Sequence, residues 1–345
     1  MNVFKAFNRK RVMEKEVKYC DGNQPVIHVC GRTSAEVWQQ AMIDLWDFGL
    51  DVPTSFDRPG DPKSKDATVI MQVDEPFAEP RIPKNYPGGF EALEWYRLEV
   101  THGVHDHWVE RYGTKWNYTY HERLRAYDVG DGKKIDQLKN LTDLIVGKVE
   151  KARKEGKEMD ITNRRFQIIT WIPSVDPFII DPPCLQRVHI RILPTDDSKQ
   201  NFKLNMNTDW RSRDGYKASF MNMYALTEDQ RLIAKELSER TGLNIGVGRY
   251  CDKSDSLHIY GKDFYGANPT FEAFYKRAKK LTLEQMTFSE DYQIENFKNT
   301  IIEARRLLAA QLDWEKKTGN KGTFDPNLTE SDIRANYSYP KEWDK

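Results

Sequence analysis

"DPPCLQRVHIRI", residues 181–192, places a cysteine after two prolines and just before an alternating strand. Proline fixes φ and offers no N–H, so neither a helix nor a ladder continues through Pro182 and Pro183. Val188, Ile190 and Ile192 then alternate with Arg187, His189 and Arg191, the two-residue period of a strand with one buried face. Cys184 therefore stands at a rigid loop-to-strand junction, where a side chain can be held over a pocket. On its own such a cysteine reads as a small buried hydrophobe. The rest of the chain decides whether it does chemistry.

Around this junction the apolar pattern predicts strong strands at "RFQIITWI" (165–172) and "VHIRIL" (188–193), and a weaker one at "FKLNMNT" (202–208). "PTDDSKQN" (194–201) reads as a hairpin excursion. "VIHVC" (26–30), "ATVIMQV" (67–73) and "SLHIYG" (256–261) read as short strands, and "DVPTSFDRPGDPKSKD" (51–66) as a loop. Helices are predicted at 33–49, which opens on Thr-Ser and stops at Gly49, and at 88–100, 135–156, 220–242 and 296–319. The charged residues of 220–242 are expected to form its solvated face. The polar ending "TESDIRANYSYPKEWDK" reads as a mobile tail. Helices and strands mix without a regular βαβ rhythm, so an α+β fold is expected rather than a doubly wound sheet. No linker divides the chain, which reads as a single domain over 1–345, with core motifs at 90–270 and a C-terminal helical extension at 280–345.

Composition excludes several function classes. The 345 residues are 39% apolar and 31% charged, with 53 basic and 53 acidic side chains, so no net field favours nucleic acid or an anionic membrane. The basic start, "MNVFKAFNRKRVMEKEVKYC", lacks the apolar core of a secretory signal. No stretch approaches the roughly 18 apolar residues that a membrane span needs. Cys20, Cys30, Cys184 and Cys251 are scattered without C-x-x-C spacing, which argues against a disulfide framework or a zinc site. A reducing, cytoplasmic setting is expected.

Chemistry-bearing residues cluster in "YTYHERLRAY" (118–127), "TNRRFQIITW" (162–171), "DPPC" (181–184), "WRSRDGYKASFMN" (210–222) and "SLHIYG". In this order they resemble the thymidylate synthase family. That family carries a tyrosine with an R-A-W-type segment, then S-R-R, P-C, R-S-x-D with an asparagine eight residues beyond, and H-x-Y. Here those positions read Tyr120 with Arg125-Ala126-Tyr127, Arg164-Arg165, Pro183-Cys184, Arg211-Ser212-Arg213-Asp214 with Asn222, and His258 with Tyr260. The matched stretch runs from about 118 to 264.

The resemblance implies a mixed β-sheet with flanking helices, dimerising through the sheet. It implies one-carbon transfer to C5 of a pyrimidine nucleotide, dUMP to dTMP, with 5,10-methylenetetrahydrofolate as co-substrate and no metal. Cys184 is then the nucleophile that adds to C6, and neighbouring arginines are expected to depress its pKa. Arg164, Arg165, Arg211 and Ser212 would hold the phosphate, since guanidinium gives permanently charged, bidentate donors. The Arg164-Arg165 pair would be donated across an obligate homodimer interface. A further N-terminal cation completes the family's phosphate loop; Arg58 is the candidate, with Lys65 or Arg32 as alternatives. Asn222 would read the base, its amide suiting the N3–H and O4 of uracil. His258 and Tyr260 would bind the sugar, Asp214 the folate ring, and Trp108 and Tyr120 would line the folate side. A glutamate on the 88–100 helix would organise water and move protons. Aligning "LEWY" puts Ala92 at that position, with Glu94 and Glu99 nearby, and Glu99 is chosen because it lies one turn from Tyr96.

Departures from the family pattern keep two other readings open. Leu185 replaces a histidine, His189 a glutamine, and Lys217-Ala218 the usual Leu-Gly. The ending lacks the short apolar tail that excludes water in the synthases, so 5-hydroxymethylation of dUMP, or of dCMP or CMP, is the first alternative. A catalytically silent nucleotide- or RNA-binding homologue is the second. The three histidines of "HGVHDHW" (102–108) lack metal-ligand spacing and read as a solvated loop.

Overall fold

The computed structural model describes residues 22–158, 161–266 and 270–344; the basic N-terminal stretch and Cys20 lie outside them. Its strands are β1 (Val26–Gly31), β2 (Leu50–Val52), β3 (Ser64–Val73), β4 (Tyr127–Asp128), β5 (Lys134–Ile135), β6 (Gln167–Ile169), β7 (Leu185–Pro194), β8 (Asn201–Trp210), β9 (Arg213–Asp214) and β10 (Asn244–Ile259). The main sheet runs β1-β3-β10-β8-β7-β6, with β2 on β3 and β9 on β10, while β4 and β5 form a separate ribbon. Pairings β1/β3 and β10/β8 are parallel, whereas β3/β10, β7/β8 and β6/β7 are antiparallel. The fold is α+β with a mixed sheet, as the sequence implies.

Two strands differ from expectation. "SLHIYG" is only the end of β10, a 16-residue strand at the centre of the sheet. Its start hides in the sequence because Gly246, Gly248 and several charges break the apolar alternation. Gly248 is required there, since a Cβ would lie 2.7 Å from Asn205 Oδ1 and 2.9 Å from Leu204 O. The strand read as weak, β8, is a full inner strand: Phe202, Leu204, Met206, Thr208 and Trp210 all point into the core. "RFQIITWI" forms only three residues of strand, at the sheet edge.

Helices α1 (Ser34–Phe48) and α5 (Ser219–Thr241) pack on one face of the sheet. Thr33 caps α1, accepting from the Glu36 N–H at 3.2 Å, and Gly49 ends it where a Cβ would lie 2.4 Å from Leu45 O. The charged residues of α5 are not all solvated, because Glu228 and Asp229 are buried. Arg81 and Arg231 reach Glu228 at 3.0 and 2.8 Å, which offsets the burial of its charge. On the other face of the sheet Arg187, His189, Arg191, Asn205, Asn207 and Asp209 stay half-buried or exposed.

Four further elements flank this layer: α2 (Phe90–His102) and α4 (Gln137–Glu155) beside α5, the short α3 (Tyr120–Arg125), and α6 (Phe271–Ala278). The short helices α7 (Leu283–Met286) and α8 (Glu290–Tyr292) lead to α9 (Lys298–Thr318), which packs on α2, and to α10 (Glu330–Asn336). The ending read as a mobile tail is docked instead. Trp343 is buried against Leu98 and Leu308, its carbonyl accepts from Arg97 Nη2 at 2.7 Å, and Asp344 pairs with Arg305 at 2.5 Å. Two aromatic residues, Tyr339 and Trp343, supply apolar surface that the polar composition of the segment conceals. No helix of the described residues is long and apolar enough to cross a membrane.

Candidate active site

The ends of β7, β8 and β10 open into a cleft of about 800 Å³, closed on its other side by α2, the start of α5, residues 114–120 and Ser55-Phe56. Cys184, Glu99, Tyr120, Arg211, Ser212, Asp214, Asn222, His258 and Tyr260 all line it. These nine come from five stretches of the chain, at Glu99, Tyr120, Cys184, 211–222 and 258–260. Arg58, Arg164, Arg165 and Trp108 do not line it, and neither do Lys65 and Arg32. Lys65 pairs with Asp51 at 2.8 Å and Arg32 with Glu75 at 2.9 Å. Arg58 is exposed two residues beyond Phe56, while Arg164 and Arg165 are exposed just before the edge strand β6.

The cysteine loop is held by its backbone. Arg211 donates from Nε to Pro183 O at 3.0 Å and from Nη2 to Pro182 O at 2.6 Å, and its backbone N–H reaches Cys184 O at 2.9 Å. The backbone N–H of Leu185 donates to Tyr120 OH at 3.3 Å. Two prolines in a row leave carbonyls without the usual ladder partners, and the guanidinium satisfies them. Cys184 Sγ lies 3.8 Å from Ser212 Oγ and 3.9 Å from Arg211 Nη2.

The expected depression of the thiol pKa is not found. Burial pushes Cys184 above the ordinary thiol value; Arg211 and the Ser212 hydroxyl pull it back only in part, and Asp181 adds to the rise. The physical reason is that Arg211 spends its short hydrogen bonds on the two proline carbonyls and meets sulfur only at long range.

Asn222, in the first turn of α5, is buried and donates from Nδ2 to Tyr96 OH at 2.5 Å. Burial raises the Tyr96 phenol well above its ordinary pKa, so Tyr96 stays neutral and fixes the amide. Asp214 accepts the backbone N–H groups of Tyr216 and Lys217 through Oδ1, at 3.0 and 2.9 Å. Burial raises its carboxyl and lowers the His258 imidazole, although each charge favours the other. His258 Nε2 is buried with no hydrogen-bond partner among the described residues. Tyr260 stands 4.5 Å from the His258 ring and 5.7 Å from Phe56, and burial pushes its phenol up to about 12.

Of the glutamates weighed on α2, Glu99 faces the cleft and Glu94 does not. Glu94 is buried between Arg97 and Arg305, each reaching Oε1 at 2.7 Å, and Ala92 lies outside the cleft. Of the "HGVHDHW" histidines, His107 is exposed as a solvated loop would have it, whereas His105 is buried, and each has a partner: His102 with Glu342 O at 3.0 Å, His105 with Glu99 at 2.7 Å and His107 with Glu315 at 2.6 Å. Trp108 lies one layer behind the cleft, edge-on to Trp116 at 4.5 Å, and Trp116 takes the lining position. Tyr96, Tyr118, Trp116 and Asp181 also line the cleft without having been singled out for a role. The Y-T-Y alternation at 118–120 was the signal for Tyr118, since an extended chain puts both rings on one side.

No protein-family model matches the chain. It is 24% identical over 233 residues to a protein of Methanococcoides burtonii named "Putative thymidylate synthase", covering 68% of this chain and 89% of that protein. Proteins of the same name from Methanosarcina acetivorans and Methanosarcina mazei are 24% and 26% identical, each over 67% of this chain and 88% of the relative. The solved thermostable thymidylate synthase A from Bacillus subtilis superposes with a TM-score of 0.47 at 16% identity, covering 78% of this chain and 84% of that one. Together with motifs in the expected order, these curated relatives support the thymidylate synthase family for this chain.

Proposed function

We propose that the protein transfers one carbon to C5 of a pyrimidine nucleotide, dUMP to dTMP, through a covalent bond between Cys184 and C6. The observation that carries this reading is the convergence of Cys184, Arg211, Ser212, Asp214, Asn222 and His258 on one cleft. C5 of uracil is not nucleophilic in the free nucleotide. When Cys184 loses its proton and the thiolate adds to C6, electron density moves to C5 and O4, and C5 can attack an electrophilic carbon. 5,10-Methylenetetrahydrofolate would supply that carbon, and for dTMP also the hydride.

The residues suit these partners. Asn222, fixed by Tyr96, keeps a second N–H and its carbonyl oxygen to match O4 and N3–H. The dry His258 Nε2 suits a sugar hydroxyl, and the Asp214 carboxyl suits the N–H groups of a pterin. Glu99 stands where it can hold water and move a proton. Burial leaves the thiol protonated in the single chain, so activation of Cys184 needs more positive charge than Arg211 provides. Arg164 and Arg165, exposed beside the edge strand, would bring it across a homodimer formed on the open sheet face. The chain is then one domain, with the described part of its C-terminal extension, 280–344, outside the cleft and α9 packed on α2.

One observation favours a second reading. None of the residues 280–344 lines the cleft, so the described C-terminal segment does not close over it. Water adding there in place of hydride gives the 5-hydroxymethyl nucleotide. Product mass after incubation with methylenetetrahydrofolate and dUMP, with dCMP and UMP in parallel, separates the two. Methylated dUMP with dihydrofolate supports the first reading, and hydroxymethylated product with tetrahydrofolate the second. No modified nucleotide in any arm would overturn both.

A further inference from the structure

The cleft glutamate is not left to solvent. Glu99 lies in the last turn of α2, and Gly103 ends that helix at φ 65°, with its N–H on Glu99 O. A Cβ at Gly103 would lie 2.2 Å from His121 Nδ1 and 2.7 Å from Asp106 Oδ2, so only glycine fits the reversal. The chain then doubles back and brings His105 beside Glu99, with Nδ1 2.7 Å from Glu99 Oε2. Asp106, the next residue, is tied to α3 through His121 at 2.6 Å and Thr119 at 2.5 Å.

The far face of the imidazole is equally fixed. His105 stacks on Trp108, ring centres 4.0 Å apart and planes 16° from parallel. Trp108 donates from Nε1 to Glu315 Oε2 at 2.7 Å, and the backbone N–H of Gly322 meets Glu315 Oε1 at 2.7 Å. Glu315 belongs to α9 and is buried. His105 Nε2 is buried without a partner among the described residues. An imidazole protonated at Nδ1 alone therefore fits best, since a bare acceptor in a dry position costs less than a stranded N–H.

We propose that His105 is the positioning residue for Glu99: its Nδ1–H holds the carboxylate toward the cleft, and Trp108, clamped by Glu315 from α9, holds the imidazole. The proposal rests on the reading of Glu99 as the water-organising carboxylate. His105 touches no substrate in this scheme and acts only through Glu99. A displaced carboxylate of this kind costs on the order of 10²-fold in rate.

The test is a double-mutant cycle in turnover of dUMP, with nucleotide affinity measured alongside by calorimetry. His105→Phe keeps the stack on Trp108 and loses the donor, so kcat is expected to fall by about 10²-fold with nucleotide affinity unchanged. His105→Asn places an amide N–H near the Nδ1 position and is expected to recover most of that loss. Glu99→Gln combined with His105→Phe is expected to be no slower than Glu99→Gln alone. Nitrogen-15 spectra of the wild-type rings, a readout independent of turnover, should show His105 protonated at Nδ1 and bare at Nε2. Additive losses, equal loss in the Phe and Asn variants, or the opposite tautomer would overturn the proposal while leaving the family reading intact. A wild-type protein with no turnover would overturn both.

Discussion

Asp229 shows what a single buried charge does to this protein. It is 2% exposed, and neither carboxylate oxygen has a hydrogen-bond partner among the described residues. Burial raises its pKa to about 6, with Arg125 and His121 opposing the rise. A raised folded-state pKa contributes stability that is fully present below the usual carboxylate range and is lost as pH rises through about 6. At 1.36 kcal/mol per pH unit, the loss is about 3 kcal/mol. Asp229→Asn is therefore expected to raise stability at pH 8 by roughly 1–3 kcal/mol and to change little at pH 4, read by urea unfolding at both. Equal effects at the two pH values would contradict this. At this scale the sequence told much about which residues meet and less about their state. The family resemblance carried by the motifs named nine cleft residues, Glu99 rather than Glu94 among them. It missed the raised thiol, because the sequence shows neither how deeply Cys184 is buried nor that the proline carbonyls claim the hydrogen bonds of Arg211. It also put Trp108 where Trp116 stands, since two indoles eight residues apart in a loop carry no period to tell front from back.

Among the elements, α2 has two working faces. Tyr96 and Glu99 turn to the cleft, while Glu94, Arg97 and Leu98 turn to α9 and the docked terminus. That division explains its imperfect apolar stripe: much of the buried surface is an ion network rather than hydrocarbon. The start of α3, which carries Tyr120, is fixed in a similar way. Arg123 is fully buried, meets Asp176 at 2.7 Å and donates to Thr170 O at 3.1 Å. Removing one partner of such a pair strands the other charge, so Asp176→Ala is expected to cost about 3–5 kcal/mol in chemical unfolding. A cost under about 1 kcal/mol would mean the pair is not what anchors α3. Helix α1 was legible to within a residue because caps and apolar spacing are local. β10 was not, since its pairing partners lie on strands dozens of residues away and its glycines serve those neighbours.

For the whole molecule, the ends of the central strands, α2 and the start of α5 meet around one cleft, with Cys184 at its wall, while the C-terminal helix α9 packs on α2 outside it. The single chain is incomplete as a catalyst on this account. Burial holds the thiol protonated, and Arg164 and Arg165 stand exposed outside their own cleft. The central claim is that Cys184 bonds to C6 of a pyrimidine nucleotide, and intact-protein mass after incubation with 5-fluoro-dUMP and methylenetetrahydrofolate tests it most directly. The account predicts a stable adduct on the wild-type chain, mapped to Cys184, and none on Cys184→Ala, which should still bind dUMP. No adduct on the wild-type chain, or an adduct that survives in Cys184→Ala, would contradict it.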